Sequence, residues 1–146
     1  MSNQPPYGYN QEGSYPPPPP QGDGKTKVLN LDYNVAAMLA YLPICCVSLV
    51  CSIMWIATEP KENRFLRFHA MQSLFLTGAL FAILFALWIL GFVAARIFFG
   101  FGLLVWLVEM AVCVVGVILF IVGAVKGYQR QMWKLPVIGD MAEKNC

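Results

Sequence analysis

Glu109 is the residue whose position most strongly suggests chemistry, because it is the only charged residue in the apolar stretch from about Leu103 to Val125. A carboxylate inside a membrane-spanning helix costs several kcal/mol unless it is paired or protonated. One interpretation is a proton or ion site, or a polar contact lining a cavity. The other is a structural hydrogen bond to a neighbouring helix, with Tyr41 or Arg96 as the expected partner.

His69 is the only histidine, and it stands with Gln72 where a charged loop passes into a long apolar run. At such a membrane edge we expect the imidazole to be hydrated. Metal sites and hydrolytic triads need further ligand or catalytic side chains grouped with the histidine. The sequence offers no second histidine for a metal pair, and no Ser–His–Asp or Cys–His grouping converges on one segment. We predict no enzymatic activity, no catalytic residue, no cofactor and no metal. The candidate functional polar residues are Glu109, Tyr41, His69 and Gln72.

The composition indicates a chain that uses lipid as its solvent. Hydrophobic residues make up 58% of the 146 residues and charged residues only 12%, against about 25% charged in soluble domains. The net charge of +2, without a stripe of Lys and Arg, argues against nucleic acid as a partner. Four of the five cysteines lie in apolar runs, where cysteine acts as a small hydrophobe, and we interpret them as structural.

Three apolar segments predict an all-α, polytopic membrane protein with three transmembrane helices in one domain over residues 31–146. Spanning the hydrocarbon core takes about 20 residues. The predicted helices cover about 33–57, with a kink at Pro43, then 68–95 and 103–125. Asn63, at the end of the intervening polar loop, is placed to cap the second helix.

Small residues recur along the second and third segments at spacings that let helices approach closely. We predict that they form helix-packing faces; they are Gly78, Ala82 and Ala86 in the second segment and Gly116, Gly123 and Gly127 in the third.

Amphipathic stretches flank the predicted spans. Arg64 and Arg67 alternate with phenylalanines at the entry to the second segment, a pattern typical of a helix that contacts lipid headgroups before it enters the bilayer. The C-terminal tail, 126–146, is expected at the interface, where Pro136 would open a short helix with Val137, Ile138 and Met141 on its apolar side.

The N-terminal tail, residues 1–30, differs from the rest of the chain. It holds most of the prolines, with tyrosine, glycine and glutamine between them. Such a stretch buries too little apolar surface to offset its ordering entropy, so we expect it to be disordered. It is either a solvated leader or a docking or clustering segment.

Positive charge near the helix ends predicts orientation. With three spans, the first loop and the C-terminal tail share one side and carry seven cations, against three on the other side. We therefore expect loop 58–68 and the C-terminal tail in the cytoplasm and the N-terminal tail outside, in a prokaryotic inner membrane. The seven are Lys61, Arg64, Arg67, Lys126, Arg130, Lys134 and Lys144; the three are Lys25, Lys27 and Arg96.

Three blocks of sequence resemble a widespread three-helix family of bacterial and archaeal membrane proteins. They are AYLPI from Ala40, RFHAMQS from Arg67 and KGYQRQMWKLPVIGDMAEK from Lys126. The family groups with the magnetosome proteins MamF and MmsF and is distantly similar to the Tic-twenty component of chloroplast protein import. The magnetosome branch implies organisation of a membrane or of what grows inside it, and the plastid branch implies part of a polypeptide-conducting assembly. The chain departs from both, since it lacks an acidic cluster and has three apolar segments where the plastid proteins have four.

These observations predict a non-enzymatic integral membrane protein that organises a membrane or an assembly through helix–helix packing. The expected partners are the lipid bilayer and other copies of the chain or other membrane proteins. The alternative is a subunit of a protein-translocation or small-solute transport assembly in which Glu109 lines a path.

Overall fold

The computed structural model describes residues 24–42 and 46–145, together with the backbone of 14–15. The predicted disorder of the tail falls largely outside these residues, and the predicted kink at Pro43 falls wholly outside them. The elements in chain order are β1 (Ser14–Tyr15), α1 (Tyr33–Ala40), α2 (Val47–Thr58), α3 (Arg64–Ile97), α4 (Phe99–Tyr128), β2 (Met132–Trp133) and α5 (Ile138–Lys144).

Helices α3 and α4 form a long antiparallel hairpin that turns at Phe98, a single extended residue. Both are long and apolar enough to cross a membrane, as expected for the second and third segments. Each begins and ends a few residues beyond its predicted bounds. The side chain of Asn63 accepts a hydrogen bond from the Leu66 amide at 3.3 Å, so its predicted role as the cap of α3 is confirmed.

The first predicted segment is divided into two helices, which differs from the single kinked span expected. Helix α1 ends at Ala40 and α2 begins at Val47, on either side of Pro43, whose ring removes a helical donor. The two helices pack against each other, since the Trp55 indole donates to the Ala36 carbonyl at 3.1 Å. With 8 and 12 residues, neither reaches the length of a membrane span.

Both ends of the α1–α2 hairpin lie at one end of the molecule. The Lys27 amide donates to the Glu59 carboxylate at 2.8 Å, so the residues before α1 contact the residue that follows α2. The first segment therefore returns to the side from which it started, instead of connecting opposite ends of the molecule.

The C-terminal segment folds back onto the start of α3. Helix α4 ends in a turn in which the Gln131 amide donates to the Lys126 carbonyl, with Arg130 in the left-handed conformation at φ 60°. Strand β2 then pairs antiparallel with β1. In α5 the buried residues are Gly139 and Ala142. Of the three residues expected on its apolar side, Ile138 packs against the core and Val137 and Met141 are exposed.

These contacts divide the molecule into a base and a far half. The base holds α1, α2, α5 and the adjoining ends of α3 and α4, and nearly all the buried side chains lie there, with Tyr41, Trp55, Leu66 and Phe68 at its centre. The far half, residues 81–115, consists of α3 and α4 alone, and its outward apolar side chains are exposed.

Candidate functional site

The three sequence blocks identified above meet in the base, in a cluster that we call the polar junction. Residues from RFHAMQS on α3 form hydrogen bonds with Ala40 and Tyr41 of AYLPI and with the turn after α4. The junction consists of Tyr41, Ser52, His69, Gln72, Ser73, Gln131 and Trp133. Residues far apart in the chain are therefore joined at one place.

His69 connects the α1–α2 hairpin to the C-terminal turn. Its Nε2 lies 3.1 Å from the Gln131 carbonyl oxygen, which can only accept, so Nε2 carries a proton. Its Nδ1 lies 3.4 Å from the Tyr41 hydroxyl, which suits a neutral ring that accepts at Nδ1. His69 is 1% exposed, instead of hydrated at a membrane edge as expected. Phe65 and Phe68 contact the imidazole edge-on.

Gln72 holds the C-terminal segment with both ends of its amide. Its Nε2 donates to the Trp133 carbonyl at 3.2 Å, and its Oε1 accepts from the Leu135 amide at 3.4 Å. Gln72 is fully buried, so its amide forms no hydrogen bonds with bulk water. These two bonds take the place of those hydrogen bonds to water. Gln72 therefore fixes the chain on both sides of Lys134 against α3.

Ser73 joins the two arms of the α1–α2 hairpin to α3. Its hydroxyl donates to the Ala40 carbonyl and accepts from the Ser52 hydroxyl at 3.2 Å. Neither serine was singled out from the sequence. Their signal was weak, because a serine within an apolar helix is commonly satisfied by its own backbone, as Thr77 is by the Ser73 carbonyl.

Arg67, expected at lipid headgroups, is instead buried at the end of α2. Its guanidinium donates to the carbonyls of Ile56 at 2.8 Å and Glu59 at 3.1 Å, which have no partner within α2. A cation at a helix C-terminus also interacts favourably with the helix dipole. Arg64, one turn earlier on α3, is exposed and free to meet headgroups.

Glu109 lies outside the polar junction. It is seven residues from both Gly102 and Gly116, which contact Ala95 and Leu80 of α3, so it shares their face of α4. Tyr41, its expected partner, packs instead against Gly123, about 21 Å further along α4 at 1.5 Å per residue. Glu109 is partly buried, and no hydrogen bond or ion pair to it is found among the described residues.

Three glycines of α4, Gly116, Gly123 and Gly127, pack against the rest of the chain. A Cβ on Gly123 would stand 2.6 Å from the Tyr41 ring, and one on Gly116 would stand 2.9 Å from Leu80. Gly127 packs on Ala37 in the same way. By contrast, the Gly78, Ala82 and Ala86 stripe of α3 is exposed, and a Cβ on Gly78 would meet nothing within 4 Å.

The polar junction is suited to holding helices together. Four of its side chains are almost fully buried and form hydrogen bonds with partners within the chain. They are those of Tyr41, His69, Gln72 and Ser73. Buried networks of this kind specify one arrangement of the elements that they join. Sequence reasoning singled out three of its residues, Tyr41, His69 and Gln72, and the structure brings these together without Glu109.

Comparison with known proteins shows that the chain is similar to archaeal membrane proteins. A UPF0132 membrane protein of Methanocaldococcus jannaschii is 37% identical over 121 residues, which cover 83% of this chain and 94% of the relative. A second UPF0132 protein of that organism is 36% identical, covering 80% of this chain and 71% of the relative. One from Archaeoglobus fulgidus is 34% identical, covering 76% and 92%.

No solved structure matches the chain. The family model of the magnetosome magnetite crystal formation proteins matches residues 32–142, a range that contains α1 to α4 and all of the polar junction. This membrane protein therefore belongs to the MamF/MmsF family.

Proposed function

We propose that the chain is a non-enzymatic integral membrane protein that organises a membrane or an assembly through helix–helix packing. The observation that carries this proposal is the far half, where α3 and α4 contact each other and leave apolar side chains exposed around them. Between helices in lipid, close packing of small residues and polar contacts drive association. The exposed stripe of Gly78, Ala82 and Ala86 is the surface of α3 best suited to a second helix.

We infer that the far half crosses the bilayer and that the base lies at the cytoplasmic interface. Helix α3 is about 51 Å long at 1.5 Å per residue, whereas the hydrocarbon core is about 30 Å thick. The base therefore extends beyond the core on one side. Helix α2 would dip into that side as one arm of a re-entrant hairpin, since Val50 and Ile53 are exposed.

The distribution of Lys and Arg supports this orientation more strongly than it supported the three-span arrangement, in which seven cations lay on one side and three on the other. Arg96 lies at the far tip, and the other nine of the ten Lys and Arg lie at the base. The N-terminal tail, expected outside, would then share the cytoplasmic side with the C-terminal tail, with which β1 pairs.

The assembly proposal is tested by the oligomeric state of the full chain in lipid nanodiscs, counted by single-molecule photobleaching. Ala82→Leu would put a larger side chain into the exposed stripe and keep a second helix from approaching closely. It is therefore expected to shift the population toward the monomer. Ala111→Leu is the matched control, because Ala111 is also exposed but lies on α4. The proposal would be contradicted if the wild-type chain were monomeric at all protein-to-lipid ratios. It would also be contradicted if neither variant changed the oligomeric state.

Glu109 supports a second candidate function, a subunit of a transport or translocation assembly. The carboxylate is partly buried in the apolar hairpin without a partner among the described residues, and such residues often mark substrate or ion paths. A photocrosslinking residue at position 109 tests this in cells. Adducts to many unfolded polypeptides or to a small solute would favour transport, and adducts to another copy or to one membrane protein would favour assembly.

A further inference from the structure

Helix α2 turns an entirely apolar surface outward. Its exposed residues all have uncharged hydrocarbon side chains and are Val47, Leu49, Val50, Ile53 and Ala57. Helix α5 of the same base differs, because it exposes Asp140 and Lys144. Exposed apolar patches are typical of membrane contact, whereas charged side chains are mostly kept in water. The contrast between the two helices indicates lipid around α2 and water around α5.

Contacts with α3 give the depth of α2 in the bilayer. Spanning the hydrocarbon core takes about 20 residues, and Arg96 marks the far edge of the core, so the near edge falls at about Leu76. The Ser52 hydroxyl, in the middle of α2, donates to the Ser73 hydroxyl at 3.2 Å, one turn from that edge. Because α2 ends beside Arg67, further from the core, its first half lies at the cytoplasmic edge.

The two edges of the core therefore meet different numbers of helices. At the cytoplasmic edge, the α1–α2 hairpin lies beside α3 and α4, since Ala40 is bonded to Ser73 and Tyr41 packs on Gly123. At the opposite edge, the described chain consists of α3 and α4 alone. A helix about 10 Å wide covers about 80 Å² of the membrane plane. Four helices against two give the chain the shape of a wedge that is wider in the cytoplasmic leaflet.

We propose that the chain prefers membrane whose cytoplasmic face is convex, because its wedge shape fills the extra area of that leaflet. The partner is the lipid bilayer itself. In a convex leaflet the headgroups spread apart, and apolar helices inserted at the interface fill the gaps between them. Val50 and Ile53, 57% and 49% exposed, make this contact. The inference rests on the proposed function, since it needs the base at the cytoplasmic interface, and it adds a way in which the chain organises a membrane.

Reconstitution of the full chain, at low density, into phosphatidylcholine liposomes of different sizes tests the proposal. A fluorophore on a single cysteine at position 61, with the native cysteines replaced by serine, reports the amount of protein on each liposome. An impermeant quencher shows which molecules have the base outside. We expect the density of these molecules to be about threefold higher on liposomes of about 50 nm than on those of about 400 nm. Equal densities would overturn the proposal.

Variants separate the wedge from general contact with lipid. Val50→Ser combined with Ile53→Ser should abolish the dependence on diameter. The matched control combines Ile89→Ser with Val93→Ser, the same residue types in the opposite leaflet, which are 45% and 52% exposed. It should keep the dependence, and equal effects of the two double variants would overturn the proposal.

A further variant makes the test independent of how the serine variants fold. Val50→Phe enlarges the outward face of α2 without adding a polar group, so it should raise the density on small liposomes above that of wild type. A Val50→Phe chain that depends on diameter less than wild type would contradict the wedge.

Labels at positions 27 and 61 separate this inference from the topology on which it rests. If both labels are quenched from the same side and the density does not depend on diameter, the curvature preference alone is wrong. If the two labels of one molecule are quenched from opposite sides, the chain has three spans, and both the topology and the curvature preference are wrong.

Discussion

At the scale of the residue, the polar junction shows how a few buried side chains hold the elements of the base in one arrangement. Buried hydrogen bonds supply the specificity of packing, because a polar group left unpaired away from water is costly. His69 and Gln72 supply it by bonding to main-chain groups of the C-terminal segment. These bonds stabilise the base because they are buried. If they were exposed, water could replace either partner at little cost in free energy.

Replacing His69 by alanine should destabilise the chain by about 3 kcal/mol, because it removes the hydrogen bonds of the imidazole to Tyr41 and Gln131 and its packing against Phe65 and Phe68. Thermal unfolding in detergent, followed by tryptophan fluorescence, measures the change. Arg64→Ala, an exposed position one turn earlier, is the control and should leave the unfolding midpoint in place. A His69→Ala midpoint equal to that of wild type would show that the imidazole contributes nothing to stability.

Two glycines provide a matched test of close packing. Gly123→Ala puts a methyl group 2.6 Å from the Tyr41 ring and should cost about 1–3 kcal/mol, as overpacking in a filled core does. Gly78→Ala meets nothing within 4 Å and should leave the stability of the single chain unchanged or slightly raised, because alanine favours the helix. Denaturant unfolding of both variants at monomeric dilution is the measurement. Equal effects would mean that α1 does not pack on α4 at Gly123.

At the scale of the element, the long helices were predictable and the folded-back segment was not. Apolar runs of sufficient length identify α3 and α4 without knowledge of their neighbours. The first run is also long enough to span, and Pro43 is compatible with either a kink or a break. Two contacts decide in favour of the break: Trp55 contacts Ala36, and Lys27 contacts Glu59. Both contacts join residues that are distant in the sequence.

The polar junction escaped prediction for the same reason. The partners of His69 lie 28 and 62 residues away in the chain, so nothing local to RFHAMQS distinguishes a buried imidazole from a hydrated one. In the sequence, Arg67 also resembles a headgroup-binding arginine, because only the folded chain brings the end of α2 beside it. The cap at Asn63 was predictable because its partner, the Leu66 amide, is three residues away.

Gln72→Leu should release the segment after α4 from α3 without unfolding the hairpin. The variant removes both bonds of the Gln72 amide, so the Leu135 amide should exchange with solvent deuterium faster than in wild type. A loss of about 2 kcal/mol, typical of two buried hydrogen bonds, corresponds to roughly 30-fold faster exchange. Amides in the middle of α4 serve as the internal reference. Unchanged exchange at Leu135 would show that other contacts hold this segment.

At the scale of the whole molecule, the proposed topology puts all connections except the α3–α4 turn on one side of the membrane. The base gathers the N-terminal segment, the loop after α2 and the C-terminal segment, and nine of the ten cations lie there. The apolar far half is left to meet lipid and other helices. A three-span arrangement would instead put the N-terminal tail on the same side as the α3–α4 turn.

The measurement that tests this most directly is labelling of single cysteines in intact cells with a membrane-impermeant thiol reagent. The native cysteines are replaced by serine, and one cysteine is introduced at position 27, 61, 98 or 137, each of which is exposed. The proposed topology predicts that position 98 reacts from outside and that the other three react only after the cells are opened. Reaction of positions 27 and 98 together from outside, with 61 and 137 protected, would contradict it and restore three membrane spans.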